Sequence, residues 1–124
     1  MAYTTKDSGV RAEYKSGMVR DTQEGKPRFN LMYPLAVPYD EQMLTRLAEL
    51  LERGMDKYGW RNWEKADSEE ELIRFKESAH RHFIQWLCGE DDEDHGSAVL
   101  FNILAAETVA WKIKNASDGQ DNPQ

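Results

Sequence analysis

Gly89-Glu90-Asp91-Asp92-Glu93-Asp94-His95 stands between two strongly apolar segments, and its reading decides the fold. Five carboxylates run consecutively from Glu90 to Asp94, and a histidine follows at once. Neighbouring carboxylates about 4 Å apart repel by roughly 1 kcal/mol per pair even in water. A helix N-terminus, a cation or a basic partner offsets that repulsion. Two readings of the run follow. It is a solvated acidic turn that opens the next helix, or it is a divalent-metal site bracketed by His82 and Trp86 on one side and Asn102 on the other. Both make it a junction between helices.

Upstream, Ser68-Glu69-Glu70-Glu71 has the form of a capping box, with Ser68 as N-cap and Glu71 at the third helical position. The helix it opens runs to Cys88 and stops at Gly89. Leu72, Phe75, Ala79, Phe83 and Trp86 fall at helical spacing as its buried stripe, and His82 joins that face. A histidine there is either a hydrogen-bonded core residue or a ligand. Downstream, the acidic run opens a last helix over about residues 92–114. From Ala98 to Ala106 only Asn102 is polar, so this helix is apolar nearly all round and is buried on several sides. In so short a chain, that predicts packing across a subunit interface.

Further out, a first helix is expected after Asp40, an N-cap following Pro38, and runs to Tyr58 with Gly59 as its stop. Leu44, Leu47, Ala48, Leu51 and Met55 form its apolar stripe. Glu49, Glu52 and Asp56 follow one residue further round. They are second candidates for a metal site, or a solvated face paired with Arg46, Arg53 and Lys57. Lys57-Tyr58-Gly59-Trp60-Arg61-Asn62-Trp63 comes next and is dense in binding-type side chains. Its rings either cap the core or take a nucleotide base, with phosphate on Lys57 and Arg61. Lys26-Pro27-Arg28-Phe29-Asn30-Leu31-Met32-Tyr33-Pro34 reads as an ordered extended segment. Its apolar side chains drape over the helices, or Lys26 and Arg28 face a phosphate.

Residues 1–25 are polar and read as a loose N-terminal arm, 26–114 as an all-α domain, and 115–124 as a disordered tail. With 31% charged and 40% apolar residues, the 124-residue chain has the balance of one globular domain. Its net charge of −7 is uneven: residues 1–62 hold 10 basic and 9 acidic side chains, and 63–124 hold 6 and 14. An acidic second half argues against a non-specific nucleic-acid binder. The lone Cys88 forms no disulfide framework, which predicts a reducing cytoplasm. No apolar run approaches a membrane span, and no signal-peptide core is present. The fold expected is an all-α bundle of three to four main helices, completed by oligomerisation.

His95, Ala98, Asn102 and Ala105 share one face of the last helix, and Glu90 and Glu93 lie three apart. Glu90, Glu93, Asp94 and His95 are therefore the first metal-ligand candidates. Such a set suits Mg²⁺ or Mn²⁺, with Co²⁺ as a further candidate. No nucleophile elbow is present, so water activated by a metal is the economical chemistry.

Glu24-Gly25-Lys26-Pro27-Arg28-Phe29-Asn30-Leu31, then Arg53 through Trp63, then Arg81-His82 and Gly89 through His95 with Asn102, together resemble the phage dATP/dGTP diphosphohydrolases. That family is similar to the MazG-type all-α nucleoside triphosphate pyrophosphatases. The resemblance covers roughly residues 16–112, and Lys57-Tyr58-Gly59 with Asn62-Trp63 is its most specific part. It implies metal-dependent hydrolysis of a purine deoxynucleoside triphosphate, dGTP or dATP, to the monophosphate and pyrophosphate. In some phages this activity supplies dGMP and depletes dATP while 2-aminoadenine replaces adenine in DNA. The candidate catalytic residues are Glu90, Glu93 and Asp94, and the candidate substrate contacts are Lys26, Arg28, Lys57, Arg61, Asn62, Trp63, His82 and Asn102. The expected partners are the nucleotide and a second copy, as dimer or tetramer, in the cytoplasm of the infected cell, with neither nucleic acid nor membrane. The MazG-type pattern of Glu-x-x-Glu then Glu-x-x-Asp is met by Glu49-x-x-Glu52 and Glu90-x-x-Glu93, with Glu in the last place. Asp94 or His95 is the candidate to fill it. A protein that binds the nucleotide without turning it over is the alternative.

Overall fold

Ser68 does what its neighbours predict: its hydroxyl accepts from the Glu71 N–H at 3.2 Å, and Glu71 Oε1 accepts from the Ser68 N–H at 3.1 Å. The computed structural model describes residues 3–118, and they fall into two units, one ending at Met32 and one beginning at Tyr33. The larger unit carries three helices, α1 (Met43–Tyr58), α2 (Glu69–Leu87) and α3 (His95–Asp118). It is an all-α bundle. No helix among the described residues is long and apolar enough to cross a membrane.

In the smaller unit, β1 (Arg11–Glu13) pairs antiparallel with β2 (Val19–Asp21), with Arg11 opposite Asp21. The sequence reading expected only a loose arm here. Three-residue strands are too short to show an alternation, and ion pairs at the open end secure this hairpin. Arg11 bridges Asp7 at 2.7 and 2.9 Å, and Asp21 takes the Ser8 hydroxyl and the Lys26 ammonium. The following segment was expected to be extended; it forms a 3-10 turn at Phe29–Met32, with Phe29 and Leu31 exposed.

α1 begins two residues later than the sequence indicated. Tyr39–Glu41, including the expected cap Asp40, make a separate 3-10 turn, and Gln42 stops it in extended geometry. The Gln42 amide donates back to the carbonyls of Val37 at 3.0 Å and Pro34 at 3.2 Å, tying the proline segment to the helix start. Gly59, at φ 98°, ends α1 by donating its N–H to Met55. α2 closes in the same manner: Gly89 turns at φ 77° and the Glu90 N–H reaches the Gln85 carbonyl at 3.1 Å. α3 begins at His95 rather than about 92, and runs through Asp118 rather than stopping near 114. The remaining residues of the expected tail, 119–124, lie outside the described residues.

Side-chain pairs fix the directions. His82 meets His95, Phe75 meets Phe101, and Leu72 packs with Ala106 and Val109, so α2 and α3 are antiparallel. Arg46 reaches Asp94, while Leu51, Met55 and Phe101 share one groove, so α1 runs alongside α3 in the same direction. The buried core is small: Ala66, Leu72, Ala106 and Val109, with Phe75, Ala110 and Ile113 around it. Ala98 and Ala105 let the helices approach closely along the same face. The apolar stripes are less covered than their spacing predicted. α1 buries no residue fully and Ala48 is exposed, while Phe83 and Trp86 stack on one another on the open side of α2. On the same stripe, Leu72 and His82 are buried and Phe75 is partly so.

Candidate functional site

Tyr58, Gly59, Trp60 and Arg61 cross from α1 into a 3-10 turn at Asn62–Lys65, and the crossing forms the lip of a groove of about 490 Å³. That volume lies within the range of small-molecule sites. Ala48, Leu51 and Met55 of α1 and Phe101 of α3 make its wall. Trp63 faces Phe101 edge-on at 5.8 Å, and Phe101 in turn meets Phe75 edge-on at 6.1 Å. Trp63 is therefore tied to the core. Trp60 is 72% exposed, and the Arg61 guanidinium lies 5.3 Å from its ring centre. Lys57 lies 5.4 Å from the Tyr58 ring. Flat rings with cations over them offer a stacking surface and a positive edge at one place.

Arg61 occupies the left-handed region, φ 51° and ψ 34°, the only non-glycine residue with positive φ among those described. A non-glycine residue there costs on the order of 1–2 kcal/mol. Its Nη1 donates to Glu64 Oε2 at 2.5 Å, which holds the side chain across the turn. Asn62 and Glu52 also line the groove.

The acidic junction divides into parts with different roles. Asp94 is committed. Its carboxylate takes Arg46 Nε at 2.8 Å and Nη2 at 2.5 Å, and accepts from both the N–H and the hydroxyl of Ser97, capping α3. The Arg46 hydrogen bond holds the Asp94 carboxyl well below the usual carboxylate range, with Ser97 adding to it. Gly96 lies close by: a Cβ there would stand 3.4 Å from the Met43 methyl, an ordinary contact.

His95 is committed too. It is 2% exposed, with Nδ1 2.9 Å from His82 Nδ1 and Nε2 2.7 Å from Asp92 Oδ1. The tautomers follow from the partners. Asp92 accepts, so His95 carries its proton on Nε2 and accepts at Nδ1. His82 must then donate from Nδ1 and accept at Nε2, where Arg81 Nη2 lies at 3.3 Å. Donation runs Arg81 to His82 to His95 to Asp92. Burial, then the Arg81 charge, pushes the His82 pKa down. The His95 hydrogen bond lowers that of Asp92.

Asp92, Glu93 and His95 can each offer a ligand atom, all within 4.8 Å of one another. Asp92 and Glu93 are exposed, while both ring nitrogens of His95 are occupied. This donor set fits a hard cation that keeps several waters and takes further oxygens from a phosphate; it does not form a closed protein cage. Glu90 is exposed and lies outside that group, as do Glu49, Glu52 and Asp56.

Of the substrate-contact candidates, Arg61, Asn62 and Trp63 line the groove, and Lys57 stands beside it against the Tyr58 ring. His82 and Asn102 are buried between α2 and α3, where Asn102 donates to the Ala98 carbonyl at 2.8 Å. Lys26 and Arg28 belong to the smaller unit, where Lys26 pairs with Asp21 at 3.4 Å. Trp60, Tyr58 and Phe101 were not among the candidates. The density of rings in 57–63 pointed to the first two; nothing in the apolar run 98–106 marks Phe101.

Fold and groove together define an all-α protein with a cation-edged aromatic groove about six residues along α3 from an acidic helix junction. A family model described as dATP/dGTP diphosphohydrolase, N-terminal, matches residues 16–120, and the chain belongs to that family. No curated protein and no solved structure matches it.

Proposed function

We propose that the protein hydrolyses the purine deoxynucleoside triphosphates dGTP and dATP to the monophosphate and pyrophosphate, with a divalent cation. The observation that carries this reading is the groove lip, where Trp60 and Tyr58 present rings and Arg61 and Lys57 present cations, in a chain of this family. A purine stacks on the exposed rings, and the cations receive the triphosphate by charge-assisted hydrogen bonds. His95 lies six residues before Phe101, an axial rise of about 9 Å, so the inner wall of the groove rather than its lip is the part nearest the junction. Asp92 and Glu93 would hold a Mg²⁺, Mn²⁺ or Co²⁺ ion there, with Glu90, outside their group, as a further candidate. Such an ion polarises a phosphoryl oxygen and lowers the pKa of a water. Glu93, whose carboxylate has no hydrogen-bond partner among the described residues, would be available as a proton acceptor.

In a phage, the activity would remove dATP and supply dGMP while 2-aminoadenine replaces adenine. The second reading, nucleotide binding without turnover, is favoured by the commitment of Asp94 and His95 to protein partners. A panel of deoxynucleoside triphosphates, separated by chromatography after incubation with and without Mn²⁺, tests the first reading against the second. Release of pyrophosphate with dGMP or dAMP is expected only with metal. Tight binding with no product would establish the second reading.

A further inference from the structure

Lys112 lies on α3, outside the groove, and its part-buried ammonium reaches across 48 positions of sequence to the backbone of the lip. Its Nζ donates to the carbonyl of Glu64 and, at 3.3 Å, to that of Ala66. No carboxylate stands within ion-pair distance of it among the described residues, although Glu71 feels its charge, and its hydrogen bonds go to two peptide oxygens at the end of the 3-10 turn. Glu64 is the same residue whose carboxylate holds Arg61 at 2.5 Å, and Arg61 is the strained residue lying over Trp60. A continuous path therefore runs from Lys112 through the Glu64 backbone to Arg61 and the exposed ring.

We propose that Lys112 and Glu64 are positioning residues of the groove: Lys112 anchors the turn, and Glu64 aims Arg61 over Trp60 to receive a nucleoside triphosphate. The nucleotide rests on the function proposed above; the anchoring does not. Removing the ammonium frees the last carbonyls of the turn, and the left-handed residue at its head is no longer held from behind. Arg61 then samples other directions, and the positive edge is lost for part of the time.

The test uses the full chain with Lys112→Met, which keeps the aliphatic stem, and Lys112→Arg, which restores a donor. Hydrogen exchange in nucleotide-free protein should quicken at least tenfold at residues 62–66 in Lys112→Met, with α2 and α3 amides unchanged and Lys112→Arg close to wild type. Unchanged exchange at the turn overturns the anchor, whether or not any nucleotide binds. With dGTP, KM should rise about tenfold in Lys112→Met and in Glu64→Gln, with kcat within twofold. In an Arg61→Ala background the same two changes should alter KM by less than twofold. Equal effects in both backgrounds, or a parallel fall of kcat and thermal stability, would show a structural role only. If the wild-type chain takes up no dGTP, the functional reading fails, and the exchange data alone decide the anchor.

Discussion

Arg61 concentrates more of the site's physics than any other residue: a strained backbone, an ion pair with Glu64 and a ring beneath its guanidinium. Arg61→Ala should remove one charge-assisted phosphate contact worth roughly 1.5–3 kcal/mol, so KM for dGTP should rise about ten- to hundredfold. An unchanged KM would reduce Arg61 to surface charge. Glu93 poses a different question, because it has no partner to lose. Glu93→Gln should leave the fold intact, lower turnover by orders of magnitude, and abolish any rise in thermal midpoint caused by Mn²⁺. Lost turnover with a retained Mn²⁺ response would identify Glu93 as a base rather than a ligand. Normal values for both would move the metal to Glu49, Glu52 and Asp56. Asp94 is the contrasting carboxylate. Asp94→Asn breaks a bidentate pair and weakens a cap, and should cost about 1–3 kcal/mol of stability. The sign of its pH effect follows from its lowered pKa. The contribution is present above about pH 4 and is lost as acid approaches the depressed folded value.

Between elements, the α2–α3 contact is unusual in being polar at one end and apolar at the other. Leu72, Ala106 and Val109 close the apolar end, and His82, His95, Ser97 and Asn102 are buried at the other. Because donation runs one way through the two imidazoles, an added proton has no acceptor inside the pair. Protonated His82 would turn a second N–H on Arg81. Burial, then the Arg81 charge, lowers the folded pKa of His82, although Glu93 and Asp92 pull in the opposite direction. Above about pH 6.5 both folded and unfolded chains hold His82 neutral, and its contribution is complete. Below that, the unfolded chain gains a proton that the folded chain resists, so stability falls with pH. The thermal midpoint should drop between pH 6.5 and 5, and His82→Gln should flatten that slope even though its baseline is lower. An unaltered slope would place the acid sensitivity elsewhere.

At the scale of the molecule, the three helices leave much apolar surface open. Trp111 is 65% exposed and Ile103 49%, and on α2 Trp86 is 55% and Leu87 60%. α3 is apolar nearly all round, yet α1 and α2 cover only part of it. A chain with this much uncovered surface should assemble with copies of itself. Light scattering at micromolar concentration is expected to give at least a dimer. A clean monomer of 14.4 kDa would refute that expectation.

What the sequence determined by itself is local. The Ser68 capping box, the stops at Gly59 and Gly89, the three helices and the ring-and-cation cluster at 57–63 follow from interactions within a few residues, which a chain carries wherever it folds. The family, too, was legible from Lys57-Tyr58-Gly59 and Asn62-Trp63. What only the tertiary structure decided depends on partners distant in sequence. Five carboxylates in a row look equivalent, yet Arg46, 48 residues away, takes Asp94, while His82 sends His95 to Asp92 and leaves Glu93 exposed. Phe83 and Trp86 share a helical stripe with Leu72 and His82, yet stay 43% and 55% exposed, while His82 is buried where α3 presents a second imidazole. Periodicity gives the angle of a side chain around its own helix; which angle meets a neighbour is set by the neighbour.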